Sequence, residues 1–383
     1  MKKIMTEIRN VKIFTEQHTF REGSIAIKDG LFAEPAENPG KIIDGQGCYA
    51  IPGLIDIHFH GCMGYDFCDG TQEALREIAR YEASVGVTGM APATMTLPAE
   101  QLEEILSNAA AFSADSGKNP GEAELLGVNM EGPFISKHKK GAQDDTYIIP
   151  SDVELFHRFQ RAAEGLVKFI AVAPEVEGAL AFVDRVKDEA VVSLAHTNAD
   201  YDEALAAFQR GASHAVHLFN AMPPFGHREP GVVGAVADSH HVTAELICDG
   251  IHIHPSVVRA AFKILGENRI ILISDSMRAA GMPDGTYTLG GQAVQVTRGR
   301  AVLVSSGALA GSASNLMECM KTSVKEMGIP LETAVACASE NPAKRLGEYG
   351  RRGSITFGKK ADLVLLDRDL NVKCVMKDGK QVG

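Results

Sequence analysis

Hydrophobic and polar residues follow a repeating order through most of the chain, beginning near residue 51. Short apolar runs, which are typical of buried strands, are followed by longer segments of helical periodicity. The apolar runs predict eight strands: Leu54–Ile57, Thr88–Pro92, Leu125–Met130, Lys168–Ala173, Val191–Ala195, His214–Val216, Glu245–Cys248 and Ile270–Ser274. The helical patterns after them include Gln72–Val85, Asp152–Ala163, Ala199–Arg210, Ser256–Leu265 and Ser314–Met327. Strands that alternate with helices in this way predict βα units and a parallel sheet.

Eight parallel strands with helices between them predict an α/β fold with a (β/α)8 barrel of the TIM type, which we assign to residues 51–349. The two chain ends, residues 1–50 and 350–383, have a different pattern of hydrophobic and turn-forming residues. Short β-like runs there, Gly353–Ile355 among them, are separated by turn signals such as Asp29-Gly30 and Asp378-Gly379. We therefore predict that both termini pair into a second, small β-sandwich domain.

Composition and charge narrow the classes of function. The formal net charge of −11 and the lack of a basic run argue against a nucleic-acid partner. Because no apolar stretch reaches about 18 residues, we expect no membrane span. The seven cysteines are an odd number without CxxC spacing, so we expect reduced thiols and a cytoplasmic location. A small anionic substrate remains compatible with this composition, since a few Arg and His can bind phosphate in a cleft.

Candidate metal ligands stand where five of the predicted strands end, which is the face where barrels of this type carry their active sites. These residues are His58, His60, Glu131, His196, His217 and Asp275. His58 and His60 are two positions apart, so both rings point to the same side of a strand and can share one ion. Nitrogen and oxygen ligands without thiolates suit Zn²⁺, Fe²⁺ or Co²⁺.

A structural interpretation competes with each ligand taken singly. A lone His at a strand end is more often structural than a ligand, and Glu131 or Asp275 alone could cap a helix or a turn. Four further histidines lie in polar stretches and are interpreted as surface residues: His138, His227, His240 and His241. The joint pattern favours a metal site, because one fold would bring all five strand ends together.

The segment Asp56–Gly61, which reads DIHFHG, resembles the opening motif of the amidohydrolase superfamily. Three more strings narrow the resemblance: EGPF at 131–134, HLFNAM at 217–222 and LAGS at 309–312. Together they are similar to the N-acetylglucosamine-6-phosphate deacetylases, and the similarity extends over essentially the whole chain. The resemblance implies metal-dependent hydrolysis of the acetamide of N-acetyl-D-glucosamine 6-phosphate, in amino-sugar catabolism and cell-wall sugar recycling.

The resemblance also implies residue roles in the chemistry. Glu131, His196 and His217 would hold one divalent ion, and His58 and His60 would hold a second with Glu131 as the bridge. One or two ions per subunit are expected, of Zn²⁺ or Fe²⁺, with Co²⁺ or Mn²⁺ as further options. Asp275 would be the catalytic acid and base and would lie beside the metal. It would take a proton from water and return it to the sugar nitrogen.

Roles toward the sugar phosphate follow from the same resemblance. Asn220, the backbone N–H of Ala221 and Arg228 would bind the phosphate. His252 would reach the phosphate of a neighbouring subunit's ligand, which implies a homodimer. Leu309 and Ala310 would line the sugar and acetyl pocket. The competing interpretations are a surface ion pair for Arg228, with Glu229 or another acid, and ordinary core packing for the two apolar residues.

Gln143 departs from the family, because many members have His at this position as a contact to the sugar. Gln can hydrogen-bond a hydroxyl or a carbonyl, but it cannot become charged. The exact sugar is therefore open, and N-acetylgalactosamine 6-phosphate is an alternative substrate.

Two further alternatives differ in class. A relative of the dihydroorotases would carry a carboxylated Lys on the fourth strand, which here ends Ala171-Val172-Ala173-Pro174. A metal-free barrel acting as a binding protein would be expected to have lost ligands.

Overall fold

The structure is a computed structural model and describes residues 5–37 and 39–382. The strands of the first third are β1 (Thr6–Phe14), β2 (Phe20–Lys28), β3 (Leu31–Ala33), β4 (Lys41–Pro52), β5 (Leu54–Asp56), β6 (Gly61–Cys62), β7 (Tyr65–Asp66), β8 (Val87–Met90), β9 (Ala93–Thr94), β10 (Glu124–Leu125) and β11 (Val128–Phe134). The later strands are β12 (Val167–Val172), β13 (Val191–Leu194), β14 (His214–Ala215), β15 (Thr243–Ile247), β16 (Ile270–Ile273), β17 (Gly285–Leu289), β18 (Gln292–Thr297), β19 (Arg300–Leu303), β20 (Leu363–Leu366), β21 (Val372–Lys377) and β22 (Lys380–Gln381).

The helices are α1 (Gln72–Ser84), α2 (Ala99–Ser113), α3 (Val153–Ala162), α4 (Ala179–Val186), α5 (Tyr201–Arg210), α6 (Gly231–Asp238), α7 (Pro255–Leu265), α8 (Leu316–Lys325), α9 (Leu331–Ala338) and α10 (Glu340–Arg345). Short 3-10 helices lie at Phe67–Asp69, Lys137–Lys139, Asp145–Tyr147 and Glu267–Arg269. Local sequence explains several of the helix starts. Asp200 and Glu203, for example, form a reciprocal capping box that satisfies free N–H groups at the start of α5. Among the described residues, no helix combines the length and the apolar character needed to cross a bilayer.

The middle of the chain forms the predicted barrel of parallel strands. The order of neighbours is β5, β8 and β10 in one sheet, and β9 followed by β11 to β16 in the other. The strands β8 and β9 occupy one barrel position, and β10 and β11 occupy the next, so the two sheets together supply eight positions. Strands such as β8, β13 and β16 are almost wholly buried, as expected for parallel strands covered by helices on one side.

The first and last barrel positions meet at their C-terminal ends. The Asp275 amide donates to the carbonyl of His58 at 3.0 Å, and the His60 amide donates to the carbonyl of Ser276 at 2.7 Å. The Ser274 hydroxyl adds a side-chain bond of 2.6 Å to Asp56. These bonds hold the ends of β5 and β16 together on the face where the predicted ligands lie.

Both chain termini contribute to one separate seven-stranded sheet, in the order β22, β21, β20, β4, β1, β2 and β3. Its central strand β4 pairs in parallel with β1 and antiparallel with β20. The buried face has a hydrophobic cluster of its own, distinct from the main core of the barrel. The predicted strand Gly353–Ile355 is wrong, because these residues form bends and loop before β20.

A buried ion cluster joins this sheet to the barrel. Arg352 is 1 % exposed, and its guanidinium contacts Glu124 of β10 at 2.7 Å and Glu348 at 3.4 Å. On the side of the sheet it lies 3.6 Å from Asp362, immediately before β20. Lys360 also contacts Glu124. The two layers are therefore linked by charge as well as by apolar packing.

A three-stranded antiparallel sheet, β17 to β19, was not predicted and inserts after the last barrel strand. Its buried face packs on Met95, Ala142 and Met277, which belong to loops at the C-terminal face of the barrel. The Gln292 amide donates to the carbonyl of Ala142 at 2.6 Å. The insertion therefore covers one side of the candidate site.

Candidate functional site

The predicted metal ligands meet at the C-terminal ends of the barrel strands, and all are buried: His58, His60, Glu131, His196, His217 and Asp275. Glu131 lies within β11, and the others directly follow β5, β13, β14 and β16. Two groups of possible ligands share Glu131. The first is Glu131, His196 and His217, and the second is His58, His60 and Glu131. The ligand atoms of each group lie within 4.8 Å of one another.

Glu131 is the hub of both groups. Its Oε1 atom lies 2.9 Å from His196 Nε2 and 2.8 Å from His217 Nε2. The same oxygen is 3.4 Å from His58 Nε2, and Oε2 is 3.4 Å from His60 Nε2. Asp275 Oδ1 completes the ring at 3.4 Å from His60 Nε2. The geometry thus allows one carboxylate to serve two neighbouring ions.

Three of these residues have a left-handed backbone. The φ angle is 43° at His196, 29° at His217 and 48° at Asp275. Non-glycine residues rarely adopt positive φ, and such conformations often occur at functional sites. Each residue stands where a strand turns into a loop, and the turn aims its side chain inward across the barrel mouth.

Hydrogen bonds on the far side of two of the rings fix their orientation. His58 Nδ1 lies 2.9 Å from Glu245 Oε2, and His196 Nδ1 lies 2.9 Å from the carbonyl oxygen of Lys139. Both partners can only accept, so Nδ1 carries a proton in each ring and Nε2 is the atom directed into the site. His58 Nε2 has no hydrogen-bond partner among the described residues.

The Nε2 atoms face carboxylate oxygens, so each contact needs either a proton or a metal ion between the nitrogen and the oxygen. Burial would raise the pKa of Glu131, but His196 and His58 hold it well below its usual range. The pKa values of Glu245 and Asp275 are also lowered, because the neighbouring imidazoles outweigh burial. Two ionised carboxylates, Glu131 and Asp275, face the Nε2 atoms, and this set fits a divalent metal ion bound through nitrogen and oxygen.

Glu245 is a functional residue that the sequence analysis did not assign. Its Oε2 atom accepts from His58 Nδ1 and, at 3.0 Å, from the backbone N–H of His217. Its Oε1 atom lies 2.9 Å from His214 Nε2. The signal in the sequence was an acidic residue inside the buried apolar strand β15, since such a residue requires polar partners. Carboxylates that hold ligating histidines in this way tune metal sites.

The ligands open into a cavity of about 240 Å³. Its walls include the predicted residues Gln143, Asn220, Ala221, His252 and Leu309. Asn220 donates its amide to the carbonyls of His217 and Leu218, which positions it beside the metal ligands. Ala221 has φ of 52°, and its N–H makes no hydrogen bond among the described residues. This N–H is available to an anionic oxygen of a ligand.

Three predicted substrate contacts differ from expectation: Arg228, Ala310 and His252. Arg228 is exposed, lies outside the cavity wall of its own subunit and forms no ion pair within the described part of the chain, so the alternative pair with Glu229 is wrong. Ala310 is fully buried in the cluster beneath β17 to β19, so core packing explains it. The backbone neighbours Ala308 and Gly311 line the cavity instead.

The side chain of His252 points to a different place from the predicted one. We expected it to reach the ligand of a neighbouring subunit, but the ring lines the cavity of its own subunit and is 5 % exposed. His252 Nδ1 lies 2.8 Å from Asp249 Oδ2, and this bond holds the ring inward. Burial would lower the pKa of His252, but the bond to Asp249 raises it overall. The residue is therefore suited to an anionic group inside this cavity.

The remaining histidine predictions agree with the structure. His138, His227, His240 and His241 are exposed, as expected for residues in polar stretches.

The chain matches the amidohydrolase family model over residues 49–382. It is 40% identical over 372 residues to an N-acetylglucosamine-6-phosphate deacetylase of Bacillus subtilis (strain 168), covering 95% of this chain and 94% of the relative. It is 34% identical to an N-acetylgalactosamine-6-phosphate deacetylase of Escherichia coli O157:H7, covering 97% and 98%.

A solved structure is similar over the whole length. It is a mutant N-acetyl-D-glucosamine-6-phosphate deacetylase from Mycobacterium smegmatis, in complex with N-acetyl-D-glucosamine-6-phosphate. The TM-score is 0.91 at 30% sequence identity, and the alignment covers 100% of both chains.

Proposed function

The chain belongs to the amidohydrolase family, and from this premise we propose that it hydrolyses the acetamide of N-acetyl-D-glucosamine 6-phosphate to D-glucosamine 6-phosphate and acetate. The observation that carries the proposal is the convergence of Glu131, His196 and His217 on one point at the floor of a cavity. The galacto epimer is the second candidate, since one similar relative carries that activity, but the gluco substrate has the larger support.

The reaction needs a stronger nucleophile than water and a more electrophilic amide. Glu131, His196 and His217 would hold a divalent ion, with His58 and His60 available for a second. When bound, such an ion would lower the pKa of water and polarise the acetyl carbonyl. Zn²⁺ and Fe²⁺ suit this ligand set, and Co²⁺ or Mn²⁺ are alternatives.

Asp275 is the proposed acid and base. Burial would raise its pKa, but the hydrogen bond with His60 lowers it, so the carboxylate is ionised and can accept a proton from the attacking water. The same carboxyl then returns the proton to the sugar nitrogen as the C–N bond breaks. Acetate and the free amine leave from the cavity.

The phosphate end of the substrate is assigned to Asn220, the N–H of Ala221 and His252. A charge-assisted contact to His252 and a contact to a free backbone N–H would fix the register of the sugar against Asp275. Leu309 supplies an apolar wall. Arg228, on an exposed loop, is left for a ligand outside its own cavity.

We also propose that the chain is a cytoplasmic homodimer whose catalytic barrel spans residues 51–349, with residues 1–50 and 350–383 as the second domain. The seven cysteines are free in the structure, which suits a reducing compartment. The exposed Phe225 beside Arg228 gives this loop an apolar contact surface for a second subunit.

Acetate release tests the proposal. The purified protein would be assayed with N-acetylglucosamine 6-phosphate, its galacto epimer and the unphosphorylated sugar, with each metal and with a chelator. We expect rapid, chelator-sensitive release from the gluco phosphate. Faster release from the galacto epimer would identify that sugar phosphate as the substrate and leave the proposed deacetylation unchanged. No release from any sugar with any metal would reject the deacetylase function.

A further inference from the structure

One loop holds two ligands of the first metal group. The loop runs from Lys139 to Gln143, between β11 and α3. Its first carbonyl accepts the Nδ1 proton of His196 at 2.9 Å. At its other end the Gln143 amide donates to Glu131 Oε2 at 2.7 Å. The position of this loop therefore sets the orientation of both side chains.

The orientation of the Gln143 amide is determined by its second partner. The backbone N–H of Thr96 donates to Gln143 Oε1 at 2.6 Å. Because that partner can only donate, the amide oxygen must face Thr96 and the NH₂ group must face Glu131. Gln143 is 1 % exposed, so water does not compete for either bond.

Glu131 depends on this contact more than the other ligands do. Its Oε1 atom faces His196 and His217, whereas Oε2 has Gln143 as its nearest partner. Without the amide, Oε2 would keep only the 3.4 Å approach to His60. The carboxylate could then rotate about its terminal bond, and the two oxygens would no longer be directed to separate groups.

We propose that Gln143 is a positioning residue that fixes the Glu131 carboxylate for metal binding, rather than a contact to the sugar. The inference rests on the proposed metal-dependent function. Both ends of the amide are engaged with protein, and the amide itself does not titrate. The bond from Gln292 to the carbonyl of Ala142 extends the support to the inserted sheet β17 to β19.

The test is metal affinity, measured without substrate. Metal-free wild type and the variant Gln143→Leu would be titrated with Zn²⁺ against a chromophoric chelator, and bound metal counted by mass spectrometry. If two Zn²⁺ ions bind, the comparison uses the one that binds with the higher affinity. We expect Gln143→Leu to bind this ion about 10–100-fold more weakly than wild type, which is the usual effect of removing a hydrogen-bond partner of a metal ligand. Gln143→Asn keeps the amide but is too short to span Thr96 and Glu131, so it should lose affinity as well.

Two further variants separate positioning from general damage. Gln143→His keeps one donor and one acceptor and should recover most of the affinity. Gln160→Leu is the matched control, because Gln160 also makes two hydrogen bonds, to the backbone of Val167, but touches no ligand. It should lose stability without losing metal. The kcat of Gln143→Leu should fall while KM for the sugar phosphate stays near the wild-type value.

The possible results are distinguishable. Wild-type affinity in both Gln143→Leu and Gln143→Asn would overturn the inference, as would an equal loss in Gln160→Leu. A changed KM for the sugar phosphate in Gln143→Leu, with unchanged metal affinity, would indicate that Gln143 contacts the sugar instead. Weakened metal binding in Gln143→Leu, beside a wild type that binds metal but releases no acetate, would support the inference and reject the proposed substrate. A wild type that binds no metal would overturn both.

Discussion

At the scale of single residues, the site depends on side chains whose partners are distant in sequence. The convergence of the six candidate residues could be predicted because each is a His or an acid at a strand end, and strand ends of a barrel converge. Glu245 could not be assigned in the same way, since its partner His58 lies 187 positions away and the contact exists only after folding. The inward direction of His252 likewise depends on Asp249 and the loop between them.

Asp275→Asn tests the acid–base role at this scale. An amide cannot take up the proton, so we expect kcat for acetate release to fall at least about 100-fold. Metal content, counted by mass spectrometry, and KM should remain close to the wild-type values, because Asp275 is not a member of either closest ligand group. A variant that keeps near wild-type kcat would show that another group moves the proton.

At the scale of elements, periodicity predicted the barrel strands and their helices to within a few residues. It did not predict β17 to β19, although Gly290-Gly291 and Arg298-Gly299 stand at the two turns of this sheet. A hairpin pattern indicates strands but does not tell where their buried face packs. The role of the loop at 139–143 could not be predicted either, because it follows from contacts to Glu131 and His196 and not from any local pattern.

Gly141→Ala tests the fit of that loop. Gly141 has φ of +57°, and a Cβ there would lie 3.1 Å from Cε1 of His196. We expect a loss of about 1–2 kcal/mol in the free energy of unfolding from the backbone, together with weaker metal binding because the ring must shift.

Gly165→Ala is the control for this change. Gly165 has φ of +83°, and a methyl group added there would have nothing within 4 Å, so the substitution carries the backbone cost alone. Urea unfolding should report similar losses for both variants, whereas metal titration should separate them. Equal metal affinity in Gly141→Ala and Gly165→Ala would mean that the loop shifts to accommodate the methyl group without moving the ring of His196.

At the scale of the whole molecule, the ion cluster around Arg352 joins the terminal sheet to the barrel. The sequence predicted the two-part organisation from its turn-rich ends. It could not predict the cluster, because Glu124, Arg352 and Asp362 come from three separate segments. Breaking a buried pair from one side leaves an unpaired charge, so this contact is a point where the two parts depend on each other.

Arg352→Met should therefore lower the free energy of unfolding by about 3–5 kcal/mol. The neighbouring Arg351→Met is the control, since Arg351 is 59 % exposed in its pair with Glu348, and it should cost less than about 1 kcal/mol. Urea denaturation of both variants measures the difference. Equal effects would indicate that water or another donor replaces the Arg352 guanidinium.

Glu124 gives the cluster a defined pH dependence. Burial would raise its pKa, but Arg352 and Lys360 lower it from 4.5 to about 2. The stability that this carboxylate contributes is thus complete above about pH 4.5 and is lost as the pH falls toward 2. Wild type should exceed Glu124→Gln by about 1.5–3 kcal/mol near neutral pH, with the gap closing in acid. A gap that stays constant between pH 6 and pH 3 would contradict the assignment.

The pairing of β4 with β20 has a consequence for synthesis. It joins residues 49–52 to residues 363–366, so the middle of the terminal sheet cannot be completed until residue 366 has been made. At about 5–20 residues per second, a ribosome needs roughly 15–60 s to travel between the two strands. During that time one edge of β4 has bare backbone donors and acceptors, which can pair with any other extended chain. The nascent protein thus passes through an interval in which a chaperone would be of most use to it.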